Sequence, residues 1–291
     1  MEGFARTARA IAERPGKLEK IALLAEYLRS IEDADLIAAA RFFSGSPFAA
    51  RDDRTLTLGS RAIVSAARRV WGFDDAALSV AYRATGDLGA ALGTLVKPPR
   101  DAMLFSERLT PALLDTLFAE IAEAGGKQAG KRREAVLERI LRACDDSLTA
   151  TYVVKIVTGD LRVGLREGLV LDAIAAAFDA DPSLVRRAVM AAGDVGAVAL
   201  AAKHHTLHQL RVLYGTPIGF MLASPMTYGD AYPELSENVW IAEEDRRHTR
   251  ASARRRRQRK TLLAPSQRRH GRLSGDRRSA LATAAQGDSR R

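Results

Sequence analysis

Cysteine is nearly absent: Cys144 is the single one in 291 residues. One thiol excludes an intrachain disulfide, so the apolar core must hold the fold, and a reducing compartment is expected. No apolar run approaches the roughly 20 residues needed to span a bilayer. The opening stretch MEGFARTARAIAERPGKLEK has no apolar centre of the kind a secretory signal needs. Alternating apolar and polar positions, the mark of a half-buried strand, are scarce before residue 215. Together these absences exclude a disulfide scaffold and a membrane-spanning chain, and they predict a cytoplasmic protein.

Hydrophobic residues make up 47% of the chain, enough for a sizeable core, and the net charge of +10 suggests a polyanionic partner. The position of that charge changes the inference. Residues 245–291 hold 15 Arg, one Lys and three Asp, a net of +13. Residues 1–244 hold 29 basic and 32 acidic groups, a net of −3. The excess belongs to the tail, so it gives no argument for nucleic-acid binding by the body.

The body reads as helix after helix, which predicts an all-α fold. Asp33 or Asp35 can cap a segment with Leu36, Ile37, Ala40 and Phe43 at helical spacing, ended by Gly45. Thr110–Pro111 is an N-cap and N1 pair, followed by Leu113, Leu114, Leu117, Phe118 and Ile121, with Gly125 and Gly126 as the stop. The stretch from Lys131 to Leu148 reads as one amphipathic helix with Val136, Ile140 and Leu141 on a face. Asp181–Pro182 opens another that closes at Gly193. Two turns echo each other 107 residues apart, Gly86-Asp87-Leu88-Gly89 and Gly193-Asp194-Val195-Gly196. That spacing is too long for a solenoid and suggests two related lobes. In each turn the first glycine can take the left-handed C′ conformation and the aspartate can cap the next helix, whose N-terminus suits phosphate. Two ordinary helix ends explain the pattern equally.

From Tyr214 the composition changes. YGTPIGFMLASPM is rich in Gly, Pro and aromatics and reads as a linker, and Glu237–Glu243 reads as an early strand of a new domain. After Glu244 apolar periodicity disappears, and residues 245–291 read as a disordered Arg-rich tail.

Three stretches together resemble the N-terminal region of ATP-dependent DNA ligases: Gly159-Asp-Leu-Arg-Val-Gly164-Leu with the segment after it, the turn Gly86-Asp87-Leu88-Gly89, and Pro217-Ile-Gly-Phe-Met-Leu-Ala-Ser-Pro225. The resemblance spans about residues 15–244. It implies a two-lobed helical DNA-binding domain over residues 1–210, gripping nicked double-stranded DNA across the minor groove. A linker and the first part of an α/β nucleotidyl-transferase (adenylation) domain follow at 211–244. For the intact family enzyme it implies ATP and Mg²⁺, a lysyl-AMP intermediate, and a place in replication, repair and recombination. A monomer associated with the nucleoid, with no membrane partner, is expected. Lys155, Gly159, Arg162, Gly164, Arg166, Gly86 and Gly89 are the implied DNA-binding residues, Arg162 foremost, and Glu243 the implied adenine contact.

The family's Lys-x-Asp-Gly-x-Arg motif has no counterpart in this sequence. Arg246 cannot replace the lysine, because a guanidinium stays protonated and is no nucleophile. The chain as written is therefore expected to be catalytically incomplete, binding neither ATP nor Mg²⁺ productively. A permitted codon choice for Glu244–Ala253, read one base on, encodes Lys-Ile-Asp-Gly-Ile-Arg, and Gln258–Ala264 yields a second family-like block in the same shift. This predicts a frame shift near Glu243–Glu244. The alternative reading is a stand-alone helical module binding duplex DNA or a protein. His204, His205 and His208 read as ordinary helix histidines rather than metal ligands, Cys144 as core, and Lys17 and Lys20 as a solvated face. Arg162 also has a plain reading, as a structural ion-pair partner.

Overall fold

The computed structural model describes residues 1–50, 52–97 and 108–212, together with the backbone of 250–255 and 258–263. The described body is all helix: α1 Glu2–Ala12, α2 Lys17–Ser30, α3 Asp33–Phe43, α4 Ser60–Trp71, α5 Asp75–Thr85, α6 Leu88–Thr94, α7 Pro111–Glu123, α8 Ala129–Arg142, α9 Ser147–Val157, α10 Glu167–Ala177, α11 Pro182–Ala192 and α12 Val195–Lys203. A 3-10 turn, Leu207–Gln209, follows. Six helices begin at an Asp or Thr whose side-chain oxygen accepts a first-turn N–H: Asp74, Asp87, Thr110, Asp146, Asp181 and Asp194. Gly72, Gly86 and Gly193 close α4, α5 and α11 in the left-handed conformation.

Two local expectations are corrected. Residues 131–148 do not form one helix: α8 ends at Arg142, and Asp146 caps the separate α9 by accepting from Leu148 and Thr149 at 2.8 Å. The apolar period runs through the junction because both helices face the same core, and the cap decides the break. Neither Asp33 nor Asp35 caps α3, whose N-cap is Glu32 without a side-chain bond. Asp35 instead accepts from the Ala112 N–H of α7 at 2.9 Å, and Asp33 pairs with Lys203 and His204.

The packing follows a regular exchange. α2 lies on α10 and α3 on α12, while α4 lies on α8 and α6 on α9. The group α1–α3 thus packs with α10–α12, and α4–α6 with α7–α9. Contacts of α1 with α9 and of α3 with α7 join the two groups. At the join, Phe42 of α3 meets Phe118 of α7 edge-on at 5.7 Å, and within the first group Phe4 of α1 stacks against Phe43 at 4.3 Å. The starts of α4, α5 and α6 at 60, 75 and 88 recur at 167, 182 and 195 for α10, α11 and α12. The echo seen in the sequence is one turn of this larger repeat.

In the tail, β1 Arg250–Arg255 pairs antiparallel with β2 Gln258–Leu263, Arg250 opposite Leu263. The expected linker and strand between 213 and 249 lie outside the described residues.

Candidate nucleic-acid interface

The segment between α9 and α10 alternates. Leu161 and Val163 are buried in the core, while Arg162, Gly164 and Arg166 are exposed. Burial of the two apolar residues fixes the turn, and the residues between them must face outward. The backbone reverses through left-handed positions at Gly159, Arg162 and Gly164, with φ of 69°, 50° and 68°. For Arg162, which has a Cβ, that conformation is strained.

Its side chain is occupied. Arg162 Nε and Nη2 donate to Asp160 Oδ2 at 2.7 and 2.6 Å, and Nη1 lies 4.0 Å from Asp87 Oδ2. The Asp160 carboxylate beside it raises the Arg162 pKa above the ordinary guanidinium value. Asp87 is a hub. Its Oδ1 caps α6 by accepting from Ala90 at 2.7 Å, and its Oδ2 lies 3.5 Å from Lys155 Nζ. Lys155 is mostly covered, with 14% of its side chain exposed, and its ammonium stands 5.6 Å from the Tyr152 ring centroid.

A groove of about 670 Å³ opens between the N-terminal half of α4, the α5–α6 turn and the segment after α9. Arg61, Arg68, Arg162, Ser60, Ser65 and Tyr82 line it, with Gly86, Asp87 and Gly89 at one wall. Of the sequence-predicted residues, the structure brings Gly86, Gly89 and Arg162 into this groove and sets Lys155 beneath them. Gly89 itself is buried: a Cβ there would meet Thr151 O of α9 at 2.8 Å, so the glycine serves the packing of α6 on α9. Gly159 lines a neighbouring groove of about 520 Å³ with the 46–59 loop. Gly164 and Arg166 lie farther along, and Arg166 is the N-cap of α10.

Sequence reading missed Arg61, Arg68 and Tyr82. The only available signal was the seven-residue spacing of the two arginines, two turns along one helix face. Nothing local says which loop that face meets. The reading of Lys20 as a solvated residue is corrected. Its Nζ donates to the carbonyls of Val163 at 3.1 Å and Gly164 at 3.4 Å, tying α2 to the turn. A Cβ on Gly164 would stand 2.5 Å from that ammonium. Lys17 is exposed.

Among the histidines, His204 is the C-cap of α12, His205 has φ 56° and His208 sits in the 3-10 turn, so no single helix face carries them. Among the described residues no cluster of three or more His, Cys, Asp or Glu side chains could hold a metal ion. Cys144 is buried, and desolvation with nearby Asp146 and Asp145 pushes its thiol up to about 12, which leaves it inert. Glu243 lies outside the described residues. No described helix is long and apolar enough to cross a membrane.

The family model for the DNA ligase N terminus matches residues 2–175. A protein of Koribacter versatilis named "Probable DNA ligase" is 35% identical over 243 residues, covering 82% of this chain and 40% of that protein. One of the same name from Opitutus terrae is 37% identical over 257 residues, 78% of this chain and 25% of the relative. The DNA ligase of Archaeoglobus fulgidus is 32% identical over 224 residues, 76% and 40% respectively. The chain spans between a quarter and two fifths of the length of these relatives.

Proposed function

The chain belongs to the DNA ligase N-terminus family, and from that premise we propose that its helical body, residues 1–210, is a two-lobed domain that holds nicked duplex DNA. The observation that carries the reading is the groove that gathers Arg61, Arg68 and Arg162 on a helical body whose positive and negative charges nearly cancel over residues 1–210. Helix α4 supplies two of these guanidiniums, Arg68 being paired with Asp75, and the turn after α9 supplies the third, with Asp87 and Asp160 in the same lining. Guanidiniums gathered along one groove suit phosphate oxygens, which fix position on a duplex without reading bases. Lys155 acts from below, holding Asp87 and so the α5–α6 turn. Arg166 and the backbone at Gly159, Gly164 and Gly86 extend the contact.

In an intact enzyme ATP would supply the AMP carried to the nick. The lysine motif that this needs is missing from the sequence, and the described residues offer no acidic cluster for Mg²⁺. No step through either is assigned to this chain, and Glu243 keeps its place as the proposed adenine contact of the restored frame. Residues 211–244 are then the entry to an adenylation domain. We expect the chain to bind duplex DNA weakly and to seal nothing.

Binding of a nicked duplex, followed by fluorescence anisotropy across a salt series, tests this. Arg162→Ala in the full chain should weaken binding at every sequence and lower the salt slope by about one phosphate contact. A chain shortened to end at Asn238 removes the basic tail from the measurement. No binding by that chain at low salt, with no effect of Arg162→Ala in the full one, would sink the reading.

A further inference from the structure

Arg162 already holds an anion. Asp160, two residues before it, engages Nε and Nη2 of the guanidinium through one carboxylate oxygen, at 2.7 and 2.6 Å. Those donors are the ones an incoming phosphate would use. Asp160 has no other side-chain partner among the described residues, and its backbone is fixed independently, its N–H donating to Lys155 O at 3.0 Å. Both side chains are about half exposed, 58% for Arg162 and 48% for Asp160. The pair is therefore open to exchange with solvent ions, and a carboxylate that needs no binding partner of its own sits where a ligand anion would go.

We propose that Asp160 is an internal competitor for phosphate at Arg162: it aligns the guanidinium in the absence of DNA and opposes the bound state by its charge. This rests on the reading of Arg162 as a phosphate contact. Asp87 is a weaker second competitor. Its nearest approach to Arg162 is 4.0 Å, and it is committed to the α6 cap and to Lys155. When a phosphate takes the fork of Arg162, Asp160 must be released to water, and its charge then faces the phosphate. The cost falls on every binding event, so Asp160 holds affinity down and speeds release. The competing role and a purely structural one predict opposite signs. If Asp160 only stiffened the turn, removing its charge would loosen Arg162 and weaken binding.

The test uses the full chain with nitrogen-15 arginine labelling and a short nicked duplex. The Nε–H resonance of Arg162, assigned by its loss in Arg162→Ala, reports occupancy at this turn itself and not total binding by the chain. In Asp160→Asn the resonance should reach half-shift at about two- to four-fold lower duplex concentration, the size expected for one exposed ion pair. The gain should shrink as salt rises. Thermal melts should show both proteins folded alike, and Asp160→Ser serves if the asparagine variant misfolds. A half-shift at equal or higher concentration overturns the proposal. A resonance that no duplex concentration moves in either protein instead overturns the DNA contact at Arg162 itself, so the two failures are told apart.

Discussion

Arg41, Asp115 and Asp194 show how burial sorts three charged residues. Arg41 forms a two-pronged pair with Asp194, 2.9 and 2.7 Å, and reaches Asp115 at 3.5 Å. Burial pushes the Asp194 carboxyl up, but the hydrogen bonds and charge of Arg41 more than offset it and hold the group below the usual carboxylate range. Burial pushes Asp115 up, and Arg41 offsets only part of that. One Asp115 oxygen, Oδ1, is buried without a hydrogen-bond partner among the described residues. The signs of the two linkages differ. Asp194 stabilises the fold above its unfolded pKa, near 4, and that contribution is lost as pH falls through its lower folded value. Asp115 destabilises the fold above its raised folded pKa, and acid relieves it. Asp194→Asn should therefore cost about 3 kcal/mol at pH 7, since asparagine keeps the cap but leaves Arg41 poorly paired. Asp115→Asn should cost little or raise the melting temperature. Thermal melts at pH 7 and near pH 3 check both: the Asp194→Asn deficit should narrow in acid. Equal losses for the two variants at pH 7 would contradict the account.

Among the elements, α6 is the one whose placement is most demanding. It is seven residues long and presents Gly89 and Gly93 to α9, with α9 backbone carbonyls where side chains would go. Its counterpart α12 presents Gly196 to α3 in the same way, where a Cβ would meet Ile37 O at 2.5 Å. Each helix is capped by the aspartate of its echoed turn, and each aspartate pairs with a cation at the ninth position of the helix opposite, Lys155 on α9 and Arg41 on α3. The repeat is thus a packing unit and not only two similar helix ends. Gly89→Ala gains helix propensity yet drives a methyl against the Thr151 carbonyl, which is backbone and cannot turn aside. We expect a net loss of about 1–3 kcal/mol in chemical denaturation, with weaker duplex binding because the α5–α6 wall shifts. Gly130→Ala, with open space at its Cβ, is the matched control and should be neutral or stabilising. Caps of this kind were legible beforehand: Thr110, Asp181 and the two echoed aspartates all cap as their sequence context implies. The break at 143–146 was not, because the apolar period continues across it.

At the scale of the whole molecule, charge is divided between a body of −3 and a tail of +13. The full chain should bind any polyanion with steep salt dependence, and removal of residues 245–291 should flatten the slope far more than any substitution in the body. Resequencing the coding DNA across Val239–Arg257 tests the proposed frame shift. An extra base or a two-base gap restores Lys-Ile-Asp-Gly-Ile-Arg, whereas an unchanged sequence leaves a binding domain with a basic tail. By itself the sequence determined the helical class, most caps, the echoed turns and the family, because these follow from local periodicity, from side chains bonding their own backbone, and from short motifs. Only the tertiary structure decided that α1–α3 pack with α10–α12, that α4 turns Arg61 and Arg68 toward Arg162, that Lys20 ties down Gly164, and that Asp160 already fills the Arg162 fork. The first three join residues about 95 to 170 positions apart, and the last depends on a left-handed backbone at a non-glycine residue. Local pattern carries no information about which distant surfaces meet, or about strain that the core imposes on a turn.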